Sequence, residues 1–146
     1  MKEKARRLIK ALYRIDGAYI FGEYNGEITD TEMCLLYALD NMEKPSQKEL
    51  SEEWLISKTT VNSIVKRMEK KGFLTLHPIQ GKSREKCICL TEAGKEYADQ
   101  MLMPMYAAEE WAVSKTLEKY PESFIEAMEY FSQCLMEAFS EQKEKQ

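Results

Sequence analysis

The hydrophobic period of this chain changes at Gly72, and that change limits the fold more strongly than any other feature. Before Gly72, apolar residues recur every three or four positions, which predicts a helix capped by Ser57: Val61, Ile64, Val65 and Met68. After it, the period falls to two on either side of a charged turn at Gly81, which predicts two short strands. A glycine just past the last periodic residue commonly ends a helix, so residues 57–91 are interpreted as a helix followed by a β-hairpin.

A shorter helix is predicted before this segment. Ser46 and Glu49 have the spacing of a capping box, and Leu50 and Trp54 follow at helical spacing. In the hairpin, strict alternation places one set of residues on one face and a second set on the other. We expect Leu74, Leu76, Cys87 and Cys89 on the first face, and Thr75, His77, Lys86 and Ile88 on the second.

The order helix, tight turn, helix and hairpin is that of a winged helix-turn-helix, which places its second helix in the DNA major groove. The charge distribution favours the same interpretation. Residues 44–86 have a net charge of +5, whereas the rest of the chain has a net charge of -9. Phosphates respond to the local surface, so the acidic total does not exclude DNA.

Four further helices are predicted, and those near the two ends of the chain are expected to serve dimerisation. The first is expected over about Lys4–Phe21, and the second begins at Thr29, which forms a capping box with Glu32. The third is expected over about Glu92–Lys119, with a bend or break near Pro104, and the fourth begins at Pro121. The first and last helices carry large apolar stripes that a small domain cannot bury alone, so we expect them to pack on each other and on a second copy. These stripes are Leu8, Leu12, Ile15 and Tyr19, and Phe124, Met128, Phe131, Leu135 and Phe139.

Several functional classes are disfavoured by composition. The chain has 146 residues, four irregularly spaced cysteines and one histidine, which argues against a disulfide framework and against a zinc site. His77 has no evident nucleophile beside it, and there is no glycine-rich phosphate loop, so we expect no catalytic site, no metal and no cofactor. No signal peptide is evident and no segment approaches the ~18 apolar residues that span a bilayer, so we expect a cytoplasmic protein that does not contact membranes.

Three segments together resemble the MarR family of bacterial transcriptional regulators: ITDTEMCLLYAL at 28–39, SKTTVNSIVKRMEKKGF at 57–73 and GKSREKCICLTEAG at 81–94. The resemblance implies a mainly α fold with a small β-hairpin wing, and a homodimeric repressor that binds an inverted-repeat operator. It implies an N-terminal dimerisation helix and loop at 1–27, a winged helix-turn-helix at 28–92 and C-terminal dimerisation helices at 93–146.

The resemblance also assigns DNA contacts. It places the exposed front of the recognition helix against base edges: Ser57, Lys58, Thr59, Asn62 and Ser63. It places Ser46, Gln47, Thr60 and Lys66 near phosphate, and it places Arg84 of the wing in the minor groove. Lys82 stands where the family usually has an acidic residue, and we expect Lys82 and Lys86 to contact the DNA backbone as well.

The chemistry of these side chains agrees with DNA contact. Asn62 can form a paired hydrogen bond with adenine, the hydroxyls of Thr59 and Ser63 can meet thymine, and Lys58 can reach guanine. Two copies are expected to read half-sites whose centres lie ~34 Å, or ~10 base pairs, apart. Binding by several cations should be steeply salt dependent, with a slope of about -0.9 per phosphate contact.

Regulation has two possible routes. Many relatives bind small aromatic anions, and the candidates to line such a pocket here are Tyr13, Arg14, Tyr19, Tyr24, Met33, Tyr37, Met105 and Trp111. Others sense oxidants through cysteine. We expect Cys34 and Cys134 to be inert packing residues, whereas nearby Lys86 and Arg84 favour the thiolate at Cys87 and Cys89.

A winged helix that binds another protein, without specific DNA recognition, is the alternative function. A protein-docking helix would present aromatic or leucine anchors. The front of this helix instead has hydrogen-bonding and cationic side chains, which favours DNA. Neither the operator, the target genes, the direction of regulation nor the effector follows from the sequence.

Overall fold

The computed structural model describes residues 1–21 and 28–144, which form six helices and one two-stranded antiparallel sheet. In chain order the elements are α1 (Lys2–Phe21), α2 (Asp30–Asn41), α3 (Gln47–Glu53), α4 (Lys58–Lys70), β1 (Leu74–Ile79), β2 (Lys82–Leu90), α5 (Glu92–Leu117) and α6 (Ser123–Glu144). The chain divides into two compact units, Met1–Tyr106 and Ala107–Gln146. The loop that the sequence predicts after the first helix, Gly22–Gly26, lies outside the described residues.

Side-chain caps start the three helices of the helix-turn-helix region, as the sequence predicts. Thr29 and Glu32 form a complete capping box on α2, and Ser46 and Glu49 form one on α3. Ser57 Oγ accepts the backbone N–H of Thr60 at the start of α4. Each cap satisfies amides that the first helical turn leaves without a partner, so short helices such as α3 become stable in place.

Gly72 ends α4 in a left-handed conformation with φ of 77°. The N–H of Phe73 bonds to the carbonyl of Met68 at 3.0 Å, and the N–H of Gly72 bonds to that of Glu69 at 2.9 Å. These two bonds satisfy the last carbonyls of the helix and turn the chain into β1. The predicted helix stop is therefore confirmed.

The predicted faces of the wing are wrong for β2. Leu74 pairs with Leu90 and Leu76 pairs with Ile88, so Ile88 points to the core face and is 1% exposed. Cys87 and Cys89 lie on the opposite face, beside His77 and Thr75. Pro78 pairs with Lys86 while Ile79 pairs with Lys82, so one step along β1 corresponds to four along β2. Strand β2 therefore has three extra residues at this irregularity. Because side chains alternate between the two faces of a strand, a shift by an odd number of residues moves each side chain of β2 to the opposite face.

The second edge of β2 joins the wing to the start of α3. Ser46 forms an isolated antiparallel bridge with Cys87, and the N–H of Ile88 bonds to the carbonyl of Pro45 at 2.8 Å. The wing and the helix-turn-helix are thus hydrogen-bonded to each other through backbone groups. This connection holds the groove between them.

The core lies between α2, α3, α4, the inner face of the hairpin and the first turns of α5. Its buried apolar residues are Met33, Leu35, Leu36, Ala38, Leu39, Leu50, Val61, Ile64, Val65, Met68, Leu74, Ile88, Ala98 and Leu102. Every predicted apolar residue of α4 is among them, because one stripe of that helix faces the core. Its opposite face is left exposed.

Helix α5 continues through Pro104 without interruption, so the predicted break does not occur. At its start, Thr91 Oγ1 accepts the N–H of Gly94 and donates to the carbonyl of Gly72. The N–H of Thr91 also bonds to the carbonyl of Phe73 at 3.0 Å. This junction ties the end of α4 to the beginning of α5.

The terminal helices keep much apolar surface exposed within their own units. In α1, Leu8 and Leu12 are half-buried, whereas Ile15 and Tyr19 are 53% and 41% exposed. In α6, Phe139 is 58% exposed and Leu135 is 39% exposed. No described helix is long and apolar enough to cross a membrane.

Leu55, in the turn between α3 and α4, has a left-handed φ of 53° and is 67% exposed. Left-handed backbone costs a residue with a Cβ roughly 1–2 kcal/mol, and asparagine tolerates it better than most. We expect Leu55→Asn to raise the free energy of unfolding by about 0.5–1 kcal/mol, measured by urea denaturation. Leu55→Ala retains the strain, and a gain as large as that of the asparagine variant would contradict this explanation.

Candidate nucleic-acid interface

A groove of about 440 Å³, lined by several charged residues, lies between α3, α4 and the wing. Four of its lining residues are cations and one is a carboxylate. The lining consists of Ser46, Gln47, Lys48, Lys58, Asn62, Leu76, Arg84, Glu85 and Lys86. From the sequence, six of these nine residues were predicted to contact DNA, whereas Lys48, Leu76 and Glu85 were not.

The exposed front of α4 presents Lys58, Thr59, Asn62 and Ser63, and Lys66 follows on the same exposed surface. The buried stripe of Val61, Ile64, Val65 and Met68 fixes this orientation, because burying that stripe turns the polar residues outward. The front therefore combines amide, hydroxyl and ammonium groups without an apolar anchor. Such groups match the edges of base pairs.

Three predicted contact residues also hold the helix starts. The hydroxyls of Ser57 and Thr60 lie 2.7 Å apart, and Ser57 Oγ caps α4. Ser46 is 2% exposed, and its Oγ accepts the N–H of Glu49 at 3.2 Å. The hydroxyl of Ser46 is thus engaged within the protein, whereas the neighbouring Gln47 is only half-buried.

The tip of the wing is braced by an ion pair between Lys82 Nζ and Glu85 Oε2, which are 2.8 Å apart. The hydrogen bond from Lys82 to Glu85 and the attraction between their charges raise the pKa of the lysine. Arg84 lies between these two residues, in the part of β2 that has no paired residues on β1, and is exposed. The extra residues therefore project Arg84 from the wing.

A second ion pair joins α4 to the start of α2. Arg67 Nε donates to Glu32 Oε1 at 2.8 Å, and the Glu32 side chain is only 12% exposed. Burial acts to raise the pKa of Glu32, but hydrogen bonds from Arg67 and Thr29 and the charge of Arg67 outweigh it, so the pKa falls below 4.5. Sequence periodicity gave no sign of this pair, since its partners are 35 residues apart.

This pair gives a pH-dependent prediction. The pKa of Glu32 is lower in the folded state, so its stabilisation is complete above about pH 4.5 and is lost as the pH falls through the folded value. We expect Glu32→Gln to lower the free energy of unfolding at pH 7 by about 1–2 kcal/mol, with less difference from wild type near pH 3. Urea denaturation at several pH values measures both effects.

Glu52→Gln is the matched control for this experiment. Glu52 Oε1 lies 4.0 Å from Lys48 Nζ, and both side chains are more than half exposed. Such a surface pair contributes little stability, so we expect a change of less than about 0.5 kcal/mol. Equal losses in the two variants would contradict a special role for the Arg67–Glu32 pair.

The predicted effector residues are distributed over several places. Tyr13 and Arg14 line a shallow groove on α1, and Tyr19 is also exposed on that helix. Met33 is a buried core residue, whereas Tyr37 and Met105 are half-buried. Trp111 is 67% exposed and belongs to the second compact unit. Tyr24 lies outside the described residues.

Tyr37 belongs to an aromatic cluster that the sequence did not reveal. Its ring centroid lies 5.5 Å from that of Trp54 and 5.2 Å from that of Tyr106. Tyr106 Oη donates to Asp40 Oδ2 at 2.7 Å and accepts from Asn41 Nδ2 at 2.9 Å. Burial and the bond to Asp40 raise the pKa of Tyr106, so it stays neutral. The cluster joins the end of α2 to α5.

The cysteines differ in part from the expectation. Burial raises the pKa of Cys34, in agreement with an inert thiol, whereas Cys134 is exposed. Burial and the neighbouring Cys87 raise the pKa of Cys89. Lys44 is the cation that acts to lower it, so the expectation that Lys86 and Arg84 favour a thiolate at Cys89 is wrong.

Solved structures with the same fold come from several bacterial regulators. Staphylococcus aureus MepR in its DNA-binding conformation is 16% identical, with 95% of this chain and 98% of MepR covered and a TM-score of 0.66. Streptococcus pneumoniae FabT in complex with DNA is 15% identical, with 97% of this chain and 99% of FabT covered and a TM-score of 0.63. Staphylococcus aureus MarR in complex with salicylate and kanamycin is 17% identical, with 94% of this chain and 93% of that MarR chain covered and a TM-score of 0.66.

No curated protein sequence matches this chain significantly. At 15–17% identity, the solved structures establish the fold alone. The model of the MarR family matches residues 27–85, which contain α2, α3, α4 and most of the wing. Residues 27–85 thus match the MarR family model, and the described chain has the mainly helical winged helix-turn-helix fold seen in the S. aureus MarR structure.

Proposed function

We propose that this protein is a homodimeric repressor that binds an inverted-repeat operator and is released by a small aromatic anion. The observation that supports it most directly is the groove in which Lys58 and Asn62 of α4 meet Arg84 and Lys86 of the wing. A single surface then offers base-reading groups and phosphate-binding cations together. Because specific DNA binding needs both, this geometry favours DNA over a protein partner.

Each residue has a distinct part in the proposed complex. Asn62 reads adenine, Lys58 reads guanine, and Thr59 and Ser63 contact neighbouring bases from the same exposed front. Ser57 approaches the bases from the helix cap. Phosphates are bound by Gln47, Thr60, Lys66, Lys82 and Lys86, with Ser46 positioning the start of α3, while Arg84 enters the minor groove.

The proposed dimer covers the apolar surface of the terminal helices. Ile15 and Ile20 of α1 and Phe139 of α6 are each more than half exposed in a single copy. Helix α1 has six basic and two acidic residues, whereas α6 has five acidic and one basic residue. The two helices therefore carry opposite charges, and each has apolar surface that needs a partner. These properties favour pairing of two copies of the chain over binding to a surface of uniform charge. On this proposal, residues 1–27 and 93–146 provide the dimer interface and residues 28–92 bind DNA.

The proposed effector is an aromatic anion of the salicylate type. Arg14 offers a cation next to the exposed ring of Tyr13 on α1, and Tyr37 belongs to a half-buried aromatic cluster that ends at α5. The S. aureus MarR structure contains salicylate, which supports this class of ligand. Tyr19 and Met105 remain candidates for the pocket, whereas Met33 packs in the core.

The experiment is a selection of bound fragments from random duplex DNA at physiological salt, combined with sedimentation of the free protein. We expect a dimer and an enriched inverted repeat whose half-site centres lie ~10 base pairs apart. Asn62→Ala should relax the preference at one position of each half-site without changing the sedimentation. A monomer, or a pool without any enriched sequence, would contradict the proposal and favour a winged helix that binds protein.

A further inference from the structure

Cys87 and Cys89 bring two thiols to the outer face of the wing. They are alternate residues of β2, so their side chains leave the same face of the strand. Both are partly accessible, and they are the two cysteines of the wing. The proposed DNA contacts involve neither thiol.

From this arrangement we propose that Cys87 and Cys89 form a two-coordinate site for a thiophilic monovalent metal ion of the Cu(I) class. Soft thiolate ligands select such ions over harder ones. Each thiol loses its proton, and its sulfur forms one bond to the metal. The product is a bis-thiolate complex with a charge of -1, and no electron is transferred.

Distances favour a metal bridge over a disulfide. Alternate residues of an extended strand lie about 6.6 Å apart, near the upper limit of the Cα separation that a disulfide accepts. A disulfide must also bring its sulfurs to about 2.05 Å, whereas two metal–sulfur bonds of about 2.3 Å span about 4.6 Å. Parallel side chains on one strand reach the longer sulfur separation of a metal bridge with less distortion than the shorter separation of a disulfide.

The surroundings favour two ligands and a negative product. Within the part of the chain that the structure describes, no group of three or more His, Cys, Asp or Glu residues is placed to hold a metal ion. His77 lies opposite Cys87, but its Nε2 is hydrogen-bonded to Thr75 Oγ1 at 2.8 Å. Zn²⁺ normally requires four ligands, so the pair suits Cu(I) better. The charge of Lys44, which acts on Cys89, favours an anionic complex.

The test is an anaerobic titration of the reduced full-length protein with Cu(I) in competition with a chromogenic chelator. We expect one Cu(I) per chain and a loss of affinity of about 100-fold or more in Cys87→Ser and in Cys89→Ser. Cys34→Ser and Cys134→Ser are matched controls and should retain wild-type affinity. Circular dichroism and the thermal midpoint report whether each variant is folded.

X-ray absorption of the copper-loaded wild-type protein is a second measurement that needs no variant. It should find two sulfur neighbours around Cu(I) and no nitrogen neighbour. Unchanged affinity in both serine variants would overturn the proposal. So would binding of Zn²⁺ to the same two cysteines as tightly as Cu(I), or peroxide converting the pair to a disulfide in a protein that fails to bind Cu(I).

Discussion

Gly94→Ala should lower the free energy of unfolding by about 3–5 kcal/mol, the largest single effect that we expect on stability. A methyl group at this position would lie 1.8 Å from the carbonyl oxygen of Phe73 and 2.7 Å from its carbonyl carbon. Both are backbone atoms, so no side-chain rotation relieves the overlap. The same carbonyl accepts the N–H of Thr91, and moving it would disturb the junction between the wing and α5.

Urea denaturation followed by circular dichroism measures this loss. A small domain has a total stability of only about 5–15 kcal/mol, so the variant should be partly unfolded or recovered in low yield. Ala93→Gly is the matched control, because it changes one methyl group at the exposed neighbouring position of the same helix turn. It should cost only about 0.5–1 kcal/mol. Helix propensity alone would make Gly94→Ala stabilising, so a loss no larger than that of Ala93→Gly would contradict a severe overlap with the Phe73 carbonyl.

Arg84→Ala should weaken operator binding more than any other single change in the wing. The arginine is exposed on the irregular part of β2 and lines the groove with Lys58, Asn62 and Lys86. A charged contact contributes about 1–2 kcal/mol, and a dimer loses two of them, so affinity should fall roughly 30- to 1,000-fold. The slope of log affinity against log salt should flatten by about 1.8, because two phosphate-region contacts disappear.

Fluorescence anisotropy with a labelled operator at several salt concentrations measures both quantities. Lys119→Ala makes the same change of charge in the second compact unit and should leave the affinity and the slope nearly unchanged. Arg84→Lys keeps the charge without the planar guanidinium, so the slope should be retained while part of the affinity is lost. If Arg84→Ala left the slope at its wild-type value, the wing would not contact DNA.

Local chemistry made most of the fold predictable. The three helix caps each need only residues three positions apart, and all three are present. Gly72 ends α4 as expected because glycine has no Cβ and takes φ of 77° without strain. The same turn chemistry failed to identify Leu55, since a leucine in the left-handed region carries no sequence signal. The extent of α5 was predicted closely, but Pro104, which was expected to bend or break it, does not end the helix.

For the groove, the sequence identified most of the lining, since the buried stripe of α4 determines which of its residues are exposed. It missed Lys48 and Glu85, whose places depend on how α3 and the wing meet. The aromatic cluster of Tyr37, Trp54 and Tyr106 was not predicted from the sequence either, because each of its residues belongs to a different helix or helix end. Contacts between distant segments leave no periodic pattern.

By itself, the sequence determined the order of the elements, their caps and the polar front of the recognition helix, because each depends on residues within one or two helical turns. Only the tertiary structure decided which face of β2 is buried. The three extra residues at the wing tip exchange its faces, so Ile88 enters the core and Cys87 and Cys89 face outward. Strand alternation gives the spacing of side chains, but the pairing of one strand with another decides which of them is inside.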